Sequence, residues 1–124
     1  DLDGFKSIND EFGHQAGDEV LATMADHLAD GIRAGDIVGR YGGDEFVVMA
    51  RVRNQNEAEA LGHRLARQLA EPFSVGSEVR SLGASIGVAL NRGATSLETL
   101  LQEADAAMYQ QKRSRQTSRA SDRT

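Results

Sequence analysis

Between two apolar runs, Ile37-Val38 and Val47-Val48-Met49, the chain spells Gly39-Arg40-Tyr41-Gly42-Gly43-Asp44-Glu45-Phe46. No other stretch limits the fold as strongly, because two strand-like runs meeting at a double glycine read as a β-hairpin. Glycines at such a turn admit positive φ, and without Cβ atoms they let a bulky ligand reach the backbone. Successive residues of a strand point to opposite faces, so only one of Asp44 and Glu45 can face a given ligand squarely. By itself the pattern fits a solvated turn as well as a site, since Gly-Asp pairs are ordinary turn chemistry.

The rest of the chain supplies the elements around this hairpin. Phe5, Ile8 and Phe12 recur at helical spacing and predict a short helix ending at Gly13. Val20, Leu21, Met24, Leu28 and Ile32 predict a second helix from about Asp18 to about Ala34. The hairpin strands are expected over residues 36–42 and 45–52. Asn54 to Glu57 offer caps for a third helix, with Ala58, Leu61, Leu65 and Leu69 inward and Arg64, Arg67 and Glu71 outward; Pro72 ends it. A second hairpin is expected from Phe73, with a long return strand from Val79 to Leu90 that reads as buried on both faces at Ser85 to Leu90. Thr95 or Ser96 caps a last helix with Leu97, Leu100, Leu101, Ala104 and Met108 as its stripe. Met24, Met49 and Met108 are all expected in the core. Residues 113–124, rich in Arg, Ser, Gln and Thr, predict a disordered polar tail or linker.

Asp1 opens directly into a motif, so the chain reads as a piece of a longer protein with a strand expected before it. Including that strand, the order βα-ββ-αβ-α predicts an α+β sandwich of the ferredoxin-like, nucleotide-cyclase-like kind, with helices packed on an antiparallel-containing sheet. The truncated first strand would then be interior to that sheet. A chain of 124 residues carries one domain, assigned to residues 1–112. The net charge of −5 and the lack of a basic face with aromatics argue against nucleic-acid binding. No apolar run is long enough to span a membrane, so no membrane contact by this segment is expected. Without cysteine there are no thiolate metal sites, and a cytoplasmic location is expected, alone or as the cytoplasmic part of a membrane-anchored parent.

Chemistry concentrates on Asp1, the Gly42-Gly43 turn, Asp44 and Glu45. In a ferredoxin-like sheet the first strand lies beside the hairpin, so Asp1 and Asp44 are expected to approach each other. Two carboxylates with a backbone carbonyl form a hard oxygen site suited to Mg²⁺ and phosphates. Lys6, Lys112 and arginines near the last helix are the cations available for a polyphosphate. No Walker lysine loop is present, which excludes a P-loop nucleotide hydrolase.

Several ordered motifs resemble one family: Asp1-Leu2-Asp3-Gly4-Phe5-Lys6-Ser7-Ile8-Asn9-Asp10, Phe12-Gly13-His14, Gly17-Asp18, Arg40 to Phe46, Ser85-Ile86-Gly87-Val88-Ala89 and Ala104 to Tyr109. From Asp1 to about Lys112 the chain resembles the GGDEF domain. The resemblance implies a diguanylate cyclase that condenses two GTP into cyclic di-GMP with release of two pyrophosphates, each subunit of an antiparallel homodimer presenting one GTP. It implies that Asp1, the Leu2 carbonyl and Asp44 bind Mg²⁺ or Mn²⁺. Glu45 is implied at the catalytic centre, as a metal ligand or as the group that helps deprotonate the attacking 3′-hydroxyl. Asn9 and Asp18 are implied to bond the guanine edge, where an acceptor carboxylate matches the ring donors. Gly42 and Gly43 would admit the phosphates, and Lys6 and Lys112 would contact them as point charges. Arg33-Ala34-Gly35-Asp36 stands where the family has its inhibitory product site, with Arg64 from a neighbouring subunit as the completing residue.

The resemblance weakens after Lys112. The family has Gly-Arg-Asn shortly beyond this lysine, whereas here Gln116 falls where the phosphate arginine belongs. That departure keeps a second function class open: a non-catalytic module binding GTP or cyclic di-GMP, often beside a phosphodiesterase domain. A dimerising structural domain is the third. His14, His27 and His63 lack the spacing of metal ligands and read as structural or solvated.

Overall fold

The computed structural model describes residues 1–93 and 95–122, with side chains as far as Arg113. The order is β1 (Leu2–Asp3), α1 (Phe5–Phe12), α2 (His14–Asp30), β2 (Ile37–Gly42), β3 (Glu45–Met49), α3 (Gln55–Leu69), β4 (Phe73–Val75), β5 (Glu78–Arg80), β6 (Gly83–Ala84) and α4 (Leu97–Asp122). The fold is α+β with small antiparallel sheets, as the order of elements predicted.

Among the described residues the strands pair two by two: β1 with β6, β2 with β3 and β4 with β5. β1 is nevertheless flanked on both sides. Asp1 and Ser85 exchange backbone hydrogen bonds of 3.1 and 2.9 Å on one side, and Leu2 N donates to the Asp44 carbonyl at 3.2 Å on the other. This is the interior position expected for the first strand, and it brings Asp1 to the hairpin turn. In the hairpin, Ile37 pairs with Met49 and Arg40 with Phe46; the register shifts between Arg40 and Gly42, where Gly42 meets Glu45.

Leu2, Phe5, Ile8, Val20, Leu21, Met24, Leu28, Leu65, Leu69, Phe73, Val75, Leu82 and Ala84 form one buried cluster. The cluster ties α1, α2 and α3 to β1, β4 and β6. Met24 is fully enclosed at 0% exposure, a burial that stabilises by roughly 1.5–3 kcal/mol. Asn54 caps α3 as expected: its side chain accepts from Glu57 N at 2.9 Å. Ser96 does the same for α4, accepting from Thr99 N at 3.2 Å.

Several expectations are corrected. α2 begins at His14, not Asp18, and ends at Asp30 rather than Ala34. Gly17 therefore lies inside a helix and is buried. The long return strand is broken: β6 covers only Gly83–Ala84, paired with Leu2–Asp3 of β1. Beyond it, Ile86 N turns to the Gln111 side chain of α4, donating to Oε1 at 2.6 Å. Met49 is 45% exposed, not core, because it lies at the open end of β3 opposite Ile37, itself 56% exposed. Leu97 is likewise exposed, and the rest of the α4 stripe is half-buried. The α4 backbone continues to Asp122 where a tail without structure was expected, since neither Gly nor Pro interrupts it after Leu97. Residues 123 and 124 of that predicted tail lie outside the described residues.

Candidate functional site

A pocket of about 350 Å³ lies where α1, α2 and the hairpin turn meet. Phe5, Lys6, Asn9, His14, Asp18, Leu21, Arg40, Gly43 and Asp44 line it. Five of these, Lys6, Asn9, Asp18, Gly43 and Asp44, were singled out from the sequence. The volume suits a small ligand. Phe5, His14, Leu21 and Arg40 were missed as pocket residues. For Arg40 the signal was available: it stands in the turn motif opposite Phe46. For His14 it was not, because its place in the wall depends on α2 starting there.

α1 presents Asn9 toward α2, where its Oδ1 is buried with no hydrogen-bond partner among the described residues. Gly17 makes room for it: a Cβ on Gly17 would stand 1.7 Å from Asn9 Oδ1. Asp18, one residue further along α2, stays exposed. A half-buried carboxamide with its Oδ1 enclosed, beside an exposed carboxylate, is a donor and acceptor set able to read the edge of a planar polar base. Across the pocket, Gly43 holds φ +50°, and nothing lies within 4 Å of where a Cβ would stand on Gly42 or Gly43. The turn backbone is thus open to a ligand from that side, with Lys6 and Arg40 as nearby cations.

Next to the pocket runs an acidic edge. Lys112 of α4 forms an ion pair with Asp1 Oδ2, and its Nζ is 3.9 Å from Asp3 Oδ1. Both Asp3 carboxylate oxygens accept from Ser85 Oγ at 3.1 Å. Asp1 and Asp3 thus face one lysine, an excess of negative charge that a divalent cation would neutralise. Asp1 and Asp44 carboxylates with the Leu2 carbonyl are hard oxygen donors that fit Mg²⁺ or Mn²⁺ with several waters retained. The larger set that includes Glu45 is not assembled: among the described residues no three His, Asp or Glu side chains converge on a common ion position. Asp44 lies in the turn and Glu45 opens β3, so the two acids sit on different elements.

Arg33, Asp36 and Arg64 lie elsewhere, where α2 leads into β2 and packs on α3. Asp36 accepts from Arg33 N at 3.1 Å and from Arg51 N at 3.4 Å, closing the turn. Arg33 Nη2 donates to Glu57 Oε1 at 3.1 Å. That bond is the main reason the Glu57 carboxyl sits below its usual range. Arg64 is not outward as expected: it is half-buried and donates from Nε and Nη2 to the Gly31 carbonyl at 3.1 and 2.7 Å. Charge-assisted bonds to the last carbonyls of a helix offset its unsatisfied C-terminus, which draws this arginine inward. Among the described residues, no helix is long and apolar enough to cross a membrane.

Comparison with known proteins places this geometry. The family model described as "Diguanylate cyclase, GGDEF domain" matches residues 1–118. The chain is 42% identical over 118 residues to the response regulator PleD of Caulobacter vibrioides, covering 92% of this chain and 26% of that protein. It is 39% identical over 113 residues to the bifunctional diguanylate cyclase/cyclic di-GMP phosphodiesterase MucR of Pseudomonas aeruginosa, covering 90% of this chain and 16% of that one. The chain thus spans about a quarter or less of the length of these relatives. Among solved structures, the GGDEF domain of DgcB from Caulobacter crescentus in complex with c-di-GMP superposes with a TM-score of 0.82 at 26% identity, covering 92% of this chain and 69% of that one. A sensory box/GGDEF family protein of the same organism gives 0.83 at 38% identity, covering 92% and 75%. With the turn motif, the pocket residues and the acidic edge all within the matched residues, the chain belongs to the GGDEF diguanylate cyclase family.

Proposed function

We propose that this chain is the catalytic domain of a diguanylate cyclase, which joins two GTP molecules into cyclic di-GMP as a homodimer. The observation that carries the reading is one pocket lined by Lys6, Asn9, Asp18, Gly43 and Asp44 beside the acidic edge of Asp1 and Glu45. Asn9 and Asp18 bind the guanine, and the mismatch left by adenine, whose edge donors differ, would leave buried polar groups unpaired. The open Gly42-Gly43 backbone admits the phosphates, and Lys6 and Lys112 supply positive charge to them. Asp1, the Leu2 carbonyl and Asp44 hold Mg²⁺ or Mn²⁺, which when bound neutralises triphosphate charge.

Glu45 takes the proton of the 3′-hydroxyl. The freed oxygen attacks the α-phosphorus of the GTP held by the partner copy, a new P–O bond forms, and the α–β bridge breaks to release pyrophosphate. The same step in the other direction closes the ring and releases the second pyrophosphate. Arg33 and Asp36 form a separate product site that restrains turnover; Arg64 of a neighbouring copy joins it only by leaving the Gly31 carbonyl. A cytoplasmic setting supplies the GTP.

A second reading is favoured by Gln116, which stands where the family's phosphate arginine belongs: a module that binds GTP or cyclic di-GMP without turnover. One experiment separates the two. The chain, and a longer parent containing it, are incubated with GTP and Mg²⁺, and cyclic di-GMP is measured by mass spectrometry. Product that disappears in Glu45→Ala supports the cyclase. No product, with tight cyclic di-GMP binding lost in Arg33→Ala, supports the binding module instead.

A further inference from the structure

The lysine assigned to the phosphates is engaged elsewhere. Lys112 pairs with Asp1, its partner 111 positions away in the chain, and Asp1 is the better buried of the two at 13% against 36% exposure. Asp1 is also the carboxylate assigned to the metal. One carboxylate oxygen cannot serve an ammonium and a divalent cation at full strength, because the two cations repel at that separation. We propose that Lys112 and the divalent cation compete for Asp1, so that cation binding releases Lys112 to the triphosphate. The inference rests on the cyclase reading for the identity of the two ligands and adds the linkage between them.

The surroundings suit an exchange of partners. The turn of α4 that carries Lys112 is fastened by its neighbour Gln111, whose Oε1 accepts from Ile86 N at 2.6 Å. The helix therefore stays in place while the four-carbon lysine stem turns. Asp3 stands 3.9 Å from Lys112 Nζ, close enough to steady the ammonium as it leaves Asp1. Asp3 is itself positioned by Ser85 Oγ, which donates to its carboxylate at 3.1 Å. The displaced charge then favours a polyanion at the edge. Cation and triphosphate should each strengthen the binding of the other, by the reciprocity that any such linkage obeys.

The test is Mn²⁺ binding followed by electron paramagnetic resonance on the 124-residue chain without nucleotide, for the unaltered protein, Lys112→Met, Lys112→Gln and Asp1→Asn. The lysine variants should bind Mn²⁺ about fivefold more tightly, the size of one partly screened ion pair, and adding Asp1→Asn should remove the gain. Mn²⁺ binding that Asp1→Asn abolishes but that neither lysine variant strengthens would overturn this inference and leave the cyclase reading standing. Mn²⁺ binding insensitive to Asp1→Asn in every protein would overturn both. A measurement on the unaltered chain guards against misfolded variants: on Mg²⁺ addition the side-chain ammonium resonance of Lys112 should lose its hydrogen-bonded character. A resonance that holds through Mg²⁺ saturation would count against the exchange.

Discussion

Gly17 and Asn9 share one space: the position a Cβ would take on Gly17 lies 1.7 Å from Asn9 Oδ1 and 2.8 Å from its Cγ. The glycine is what allows α1 and α2 to close with a carboxamide between them and the pocket beside it. Gly17→Ala should therefore destabilise the chain by about 1–3 kcal/mol through overpacking and should weaken GTP binding. In an Asn9→Ala background the clashing atoms are gone, and most of that stability cost should vanish. Urea denaturation of the four-member cycle checks it; additive costs would show that the two residues are not coupled.

Asp18 should separate binding from stability. It lines the pocket but stays exposed, so Asp18→Asn should change folding stability by less than about 0.5 kcal/mol. GTP affinity should fall by roughly 1–3 kcal/mol, the cost of an unmade polar contact, and preference over ATP should narrow. Calorimetry with both nucleotides measures this. Equal losses for GTP and ATP would remove Asp18 from base recognition.

Arg64 should behave as a helix fastener whatever its role toward product. Its bonds to the Gly31 carbonyl close the end of α2, and Arg64→Ala should cost about 1–2 kcal/mol of stability. Arg64→Lys should retain only part of this, because an ammonium lacks the planar fork. A thermal midpoint unchanged in Arg64→Ala would contradict the inward arrangement.

Glu57 offers a pH readout of the Arg33 turn. The Arg33 bond holds the Glu57 carboxyl below its ordinary range. A carboxyl whose folded pKa is depressed adds stability above its unfolded pKa, and that contribution is lost as pH falls through the folded value. Carbon-detected NMR titration should find Glu57 moving up toward ordinary carboxylates in Arg33→Ala. It should also move down no further in Asp36→Asn. A Glu57 titration indifferent to Arg33 would mean that the pair does not form in solution.

The amino-acid order alone determined the types of most elements and named five of the residues that line the pocket. Apolar spacing marked α1 and α3, Asn54 marked a cap, and the double glycine marked the hairpin, because each depends on neighbours within a few residues. Lys6, Asn9, Asp18, Gly43 and Asp44 could be named as pocket residues because distinctive residue types recur in one order. What lay beyond reach were the meetings of distant segments. The helical setting of Gly17 depends on Asn9 across a helix pair, and the inward turn of Arg64 depends on a bare carbonyl 33 positions away. The bond from Ile86 N to the Gln111 side chain ties the segment after Ala84 to α4, and the hold of Lys112 on Asp1 joins positions 111 residues apart. Local sequence sets which groups are present; only the packed chain decides which of them meet, because a hydrogen bond or ion pair between remote residues leaves no periodic trace in either.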